Sequence, residues 1–139
     1  MSGAATPRPI RAAALYVLAV FGLGMLLGPI RELVLAPRLG ALPAALIEAP
    51  LVLGFAWLAA RFLLRRHAIP PGAPRRVIAA AALVLVLLVE FAAGHLLRGW
   101  DLAAWGAHLA TPAGWLSLAL YGLFALWPLL QRQPDVEKP

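Results

Sequence analysis

Val77-Ile-Ala-Ala-Ala-Ala-Leu-Val-Leu-Val-Leu-Leu-Val-Glu90-Phe-Ala-Ala-Gly-His-Leu-Leu97 is an unbroken apolar run with one carboxylate and one histidine in it. A helix rises about 1.5 Å per residue, so this stretch alone spans the ~30 Å hydrocarbon layer of a bilayer. Three more runs of comparable length flank it, at 12–30, 41–64 and 109–130, and they take up most of the 139 residues. Hydrophobic residues make up 63% of the chain and charged ones 13%. A soluble domain carries roughly 25% charged residues, so lipid must be the solvent for most of this surface. The expected fold is all-α, a four-helix transmembrane bundle made of two helical hairpins, and 1–139 reads as a single transmembrane domain.

The charges set the expected orientation. Arg8 and Arg11 precede helix 1, while Arg61, Arg65, Arg66, Arg75 and Arg76 surround the link between helices 2 and 3. Arg132 and Lys138 follow helix 4. The other two loops hold only Arg31, Arg38 and Arg98, offset in part by Glu32 and Asp101. Short cytoplasmic loops collect Lys and Arg, so both termini are expected in the cytoplasm, N-in and C-in, with multi-pass placement in a bacterial inner membrane. Trp100, Trp105 and Trp115 then fall at the outer interface, where indole rings favour the headgroup level. The net charge of +6 is therefore a topology signal, and nucleic acid is not an expected partner. The run after Arg8 and Arg11 is too long for a signal-peptide core and lacks a small-x-small cleavage site, so it reads as a retained helix.

The cytoplasmic loop 65–76 contains three prolines, which block helix continuation. Its Arg65, Arg66, Arg75 and Arg76 are candidates for holding anionic lipid headgroups on the cytoplasmic side. The tail 133–139 is polar and reads as disordered.

Glu48 lies seven residues into helix 2 and Glu90 eight residues before Arg98. At the helical rise both sit roughly 10–12 Å below the outer surface. Carboxylates at that depth are costly against lipid, so they are expected to face inward and to be paired. We read Arg31, Glu48, Glu90 and Arg98 as an intramembrane polar cluster, with Arg38 at its rim and His95 hydrogen-bonded into it. Such a cluster serves either as interhelical ion pairs that lock the bundle or as a proton or ion pathway opening outward. Gly24-x-x-x-Gly28 matches the small-residue pattern that lets helices approach closely, and Gly94 between Glu90 and Arg98 is expected to leave room for a neighbouring helix. This suits a homo-oligomer or a subunit of a larger membrane complex. Gly28-Pro29 is expected to end or bend helix 1, with 30–40 forming a short outer re-entry or interfacial turn. Thr111-Pro112 reads as an N-cap followed by proline at the first helical position.

Catalytic signatures are sparse. The chain has no cysteine, which excludes disulfides, thiolate metal sites and a cysteine nucleophile. Ser117 has no evident base partner. His95 in a helix suggests a haem or chlorophyll ligand, but Phe91 occupies the position where the light-harvesting pattern has alanine. No metal or cofactor is expected, and the chain reads as non-enzymatic.

The segments Gly28-Pro-Ile-Arg31-Glu-Leu-Val-Leu-Ala-Pro37-Arg38-Leu-Gly40, Leu46-Ile-Glu48-Ala-Pro50 and Thr111-Pro112-Ala113-Gly114 together resemble small four-helix integral membrane proteins of GC-rich proteobacteria. That resemblance implies a shared outer-side element containing Arg31, Arg38, Glu48 and Pro50, and it brings no activity with it. The chain lacks the helix-2 asparagine of the four-helix fluoride channels and the helix-1 acid of small multidrug exporters. The leading expectation is an accessory, assembly or oligomer-forming membrane component. The alternatives are a small ion- or proton-coupled transporter using Glu48 and Glu90, and a lipid-binding or lipid-modifying membrane protein.

Overall fold

The computed structural model describes residues 8–132, and all the regular structure among them is helical. Four helices are long and apolar enough to cross a membrane: α1 (Arg8–Leu39), α2 (Ala41–Arg66), α3 (Ala73–Arg98) and α5 (Pro112–Leu130). A short α4 (Leu102–Leu109) sits between α3 and α5. This is the make-up of a multi-pass membrane protein. The tail 133–139 and Lys138 within it lie outside the described residues.

α1 is longer than its sequence suggests. The expected stop at Gly28-Pro29 does not occur, nor does the re-entrant turn over 30–40. The helix runs on through Pro29 to Leu39, 32 residues in all. Proline lacks the N–H that would bond four residues back, and its ring crowds that carbonyl. The helix accommodates the prolines with one wide turn at Arg31–Leu35, closed by the Ala36 N–H on the Arg31 carbonyl five residues earlier. One extra residue in a turn rotates all that follows by about 100° relative to what precedes. At about 48 Å long, α1 exceeds the ~30 Å hydrocarbon core.

The reversal into α2 takes one residue. Gly40 has φ +93°, where an L side chain is strained, and it bonds back to Ala36 at 2.9 Å before its carbonyl accepts from Ala44 at 3.2 Å. The arginine-rich loop is shorter than expected, since α2 continues through Arg66 and α3 begins at Ala73. Similarly α5 starts at Pro112, with 102–109 forming the separate α4. Thr111 caps α5 by accepting from the Gly114 N–H at 3.1 Å.

In cross-section the spanning helices form a square. α1 packs on α2 and α3, and α5 packs on the same two, so consecutive α2 and α3 stand on a diagonal. The two hairpins, α1–α2 and α3–α5, lie side by side. Alanines occupy the contacts: Ala12, Ala13, Ala44, Ala56, Ala60 and Ala82 are at most 2% exposed. Large side chains such as Leu18, Leu58, Phe62 and Leu88 point outward. Lipid is as apolar as leucine, so helix association depends on close approach of backbones, which small residues allow.

Tyr16 crosses the other diagonal. Its ring stacks on Phe124 with centroids 4.2 Å apart, and its hydroxyl donates to the Phe124 carbonyl at 2.6 Å. That carbonyl lies four residues before Pro128, which has no N–H to give it. The proline creates a free acceptor and the tyrosine fills it. Further along α5, the Trp127 indole donates to the Leu53 carbonyl at 3.1 Å, and the Gln131 amide donates to the Trp57 carbonyl at 3.0 Å.

Candidate functional site

Charged groups gather where α1 passes through its wide turn, beside the start of α2 and the end of α3. Arg31 sits in that turn and reaches α2, with its Nη1 2.9 Å from Glu48 Oε2. Glu48 is only 9% exposed, on the face of α2 that also buries Ala44 and Ala49. The second Arg31 nitrogen reaches Glu32 Oε1 at 3.1 Å, and the same oxygen takes Arg98 Nη2 of α3 at 3.4 Å. Two arginines and two carboxylates thus alternate across three helices. Sequence reading treated Glu32 as a loop charge, yet it is the bridge between Arg31 and Arg98.

Glu90 has no ion pair among the described residues. It lies on the side of α3 toward Tyr121 of α5, and Ser117 stands one turn before Tyr121 on α5. The Ser117 hydroxyl donates to the Ala113 carbonyl at 3.1 Å. Glu90 still lies close enough to Arg31, Arg98 and Glu48 to feel their charges. The polar groups thus fall into two neighbouring sets, the salt bridges of α1, α2 and α3 and the Glu90 carboxylate with the α5 hydroxyls. Ser117 and Tyr121 are not among the residues that the sequence points to here. Their four-residue spacing on one helix face is the signal that could have found them.

Several expected members are elsewhere. Arg38 is exposed and makes no ion pair among the described residues. His95 is exposed too, and its Nδ1 lies 2.8 Å from the Trp100 carbonyl, outside the carboxylate network. Gly94 makes room for no neighbouring helix. A Cβ there would meet the Trp100 ring at 3.0 Å, because the chain folds back after Arg98 and lays that indole over the glycine. Arg98 stacks over the same indole at 4.8 Å. Phe91, Trp105 and His108 extend this into an aromatic collar, Phe91 meeting Trp105 edge-on at 5.5 Å and His108 lying 4.9 Å from Trp100. At the tight α4–α5 corner, a Cβ on Gly114 would fall 2.1 Å from the His108 carbonyl oxygen, so only glycine fits.

The opposite end of the bundle also departs from expectation. Arg75, expected at lipid headgroups, is 4% exposed. One of its terminal nitrogens donates to the carbonyl of Gln131, the residue that ends α5, and the other to Ile69 of the loop at 3.5 Å. The last carbonyls of a helix lack partners and carry the negative end of its dipole, so a buried guanidinium suits that position. Arg65, Arg66 and Arg76 remain exposed. Gly24 and Gly28 have nothing within 4 Å of where a side chain would stand, so this chain's own helices do not fill that face of α1.

Comparison with protein-family models, curated proteins and solved structures finds no match for this chain, so its function has to be read from these residues.

Proposed function

We propose that this chain is a non-enzymatic component of a bacterial inner membrane, with both termini in the cytoplasm, and that it works by docking to other membrane helices as an accessory or oligomer-forming subunit. The observation that carries this reading is the unfilled glycine face of α1 around Gly24 and Gly28. Glycine weakens a helix by about 1 kcal/mol relative to alanine, and against lipid it contributes little packing in return. A second helix laid on that face recovers the loss through close backbone contact. The salt bridges among Arg31, Glu48, Glu32 and Arg98 fit the same reading, as a lock that holds the docking face in shape.

The absence of cysteine gives a clean test. Single cysteines at Gly24 and Gly28, oxidised in native membranes, should form a disulfide-linked dimer or a discrete adduct with a larger membrane polypeptide. A cysteine at Leu88, on the outer surface of α3, should form neither. If no product forms at either glycine position, the docking reading fails.

Glu90 favours a second reading, a small ion- or proton-coupled transporter. Among the described residues it faces a hydroxyl pair and has no salt-bridge partner. In liposomes, flux that disappears in Glu90→Gln while helix content is retained supports transport, and wild-type protein without flux excludes it.

A further inference from the structure

At the end of the bundle away from the carboxylates, α1 and α2 line an open groove of about 700 Å³. Its floor is apolar, with Leu15 and Ala19 on α1 and Phe55, Ala59 and Leu63 on α2, and Arg66 also lines it. A second furrow of about 430 Å³ adjoins it, sharing Leu58, Phe62 and Arg66 and adding Arg61 and Arg65. Leu58 and Phe62, 63% and 64% exposed, form the ridge between the two. We propose that this double groove binds one anionic two-chain phospholipid, its acyl chains lying either side of the Leu58–Phe62 ridge and its phosphate held by Arg61, Arg65 and Arg66.

Three features identify that occupant. The first is depth. Phe55 to Arg66 covers about 16 Å of helix, close to half the ~30 Å hydrocarbon core, so the groove fits one leaflet with the arginines at its headgroup level. The second is charge. The three arginines are exposed and unpaired among the described residues, whose acids Glu32, Glu48, Glu90 and Asp101 all lie at the opposite end. Arg61 and Arg65 are four residues apart on one helix face, and Arg66 lines the same furrow, so all three bring their charge to one space. Third is the joint presence of floor and edge. A free phosphate would use only the arginines, and an apolar helix would leave them facing nothing. Arg75 takes no part, being buried against Gln131 and Ile69. The site is independent of the α1 glycine face and of the docking role proposed for it.

The test is native mass spectrometry of the full chain in mild detergent, titrated with phosphatidylglycerol and with phosphatidylcholine of matched acyl length. Three arginines near an anionic headgroup correspond to roughly a hundredfold preference. One phosphatidylglycerol per chain, retained at least about tenfold better than phosphatidylcholine, is therefore the expected result. Preference should vanish in R61Q/R65Q/R66Q and survive in R61K/R65K/R66K, which also controls for folding. Filling the floor with Ala19→Phe should lower lipid retention severalfold with every arginine in place. Any of three results overturns the proposal: equal retention of both lipids, full retention in Ala19→Phe, or displacement by millimolar inorganic phosphate.

Discussion

At one end of this bundle Arg31 meets carboxylates, and at the other Arg75 meets backbone carbonyls. Arg31 is about a third exposed and takes Glu48 from α2 and Glu32 from its own helix. Arg75 is almost fully buried and takes the carbonyls of Gln131 and Ile69. Each arginine joins elements that are distant in sequence, but the compensation differs in kind. A carboxylate is a charge that needs its cation as much as the cation needs it. A carbonyl at a helix end is a dipole that any good donor satisfies. The first arrangement is therefore brittle when one partner is lost and can be replaced as a unit. The second rests on main chain that no substitution can remove.

Arg31→Ala should produce the largest effect, because it strands Glu48, a carboxylate with almost no access to solvent. Breaking a buried pair typically costs 3–5 kcal/mol, and the partial exposure of Arg31 places this case near the lower bound, about 3 kcal/mol. Replacing both residues with leucine should recover most of that loss, since the desolvation of two charges disappears together with their attraction. Equilibrium unfolding in mixed micelles checks both, and a double variant as unstable as the single one would show that the pair does more than neutralise itself. Arg75→Met comes next, at about 2 kcal/mol for two carbonyls left without a donor inside the bundle. Here no second side-chain substitution should restore stability. A suppressor that did so by changing only a neighbouring acid would mean that Arg75 is held by charge, contrary to the comparison.

The sequence discloses these two ends unequally. Four spans are legible because length and hydropathy alone decide them, and Glu48 is legible because a charge inside such a run must be answered, with Arg31 and Arg98 as the cations just beyond the run ends. What composition does not disclose is which way the backbone carries each charge. Gly28-Pro29 has the form of a helix stop, and only the wide turn at Arg31–Leu35 keeps α1 going and sets Arg31 beside α2. The fate of Arg75 depends on α2 and α3 standing on a diagonal, so that α5 brings its C-terminal carbonyls to the start of α3. In sequence, Arg75 and Arg76 are adjacent and alike; in the fold one is buried and one exposed. Gly94 in the sequence suggests space for another helix, because small residues serve that purpose in membranes. The space belongs to Trp100, placed by left-handed Gly99, which bonds back to the His95 carbonyl at 3.0 Å. Arginine, glycine and proline each have several uses in a membrane helix, and tertiary context selects among them.

The smallest effect separates the two modes of compensation most cleanly, because its partner is a carbonyl freed by a proline. Tyr16→Phe keeps the stacked ring on Phe124 and removes only the hydroxyl, leaving that carbonyl without a donor at a cost of about 1 kcal/mol. Pro128→Ala restores an N–H at the position that normally bonds back to residue 124, so in that background the same Tyr16→Phe change should cost close to nothing. The double-mutant cycle therefore predicts a coupling about equal to the single-variant loss, with the hydroxyl and the restored N–H each able to serve the acceptor. Additive effects would mean that Tyr16 and Pro128 act independently. In that case the diagonal contact would be held by ring stacking alone, and the contrast would narrow to the two arginines.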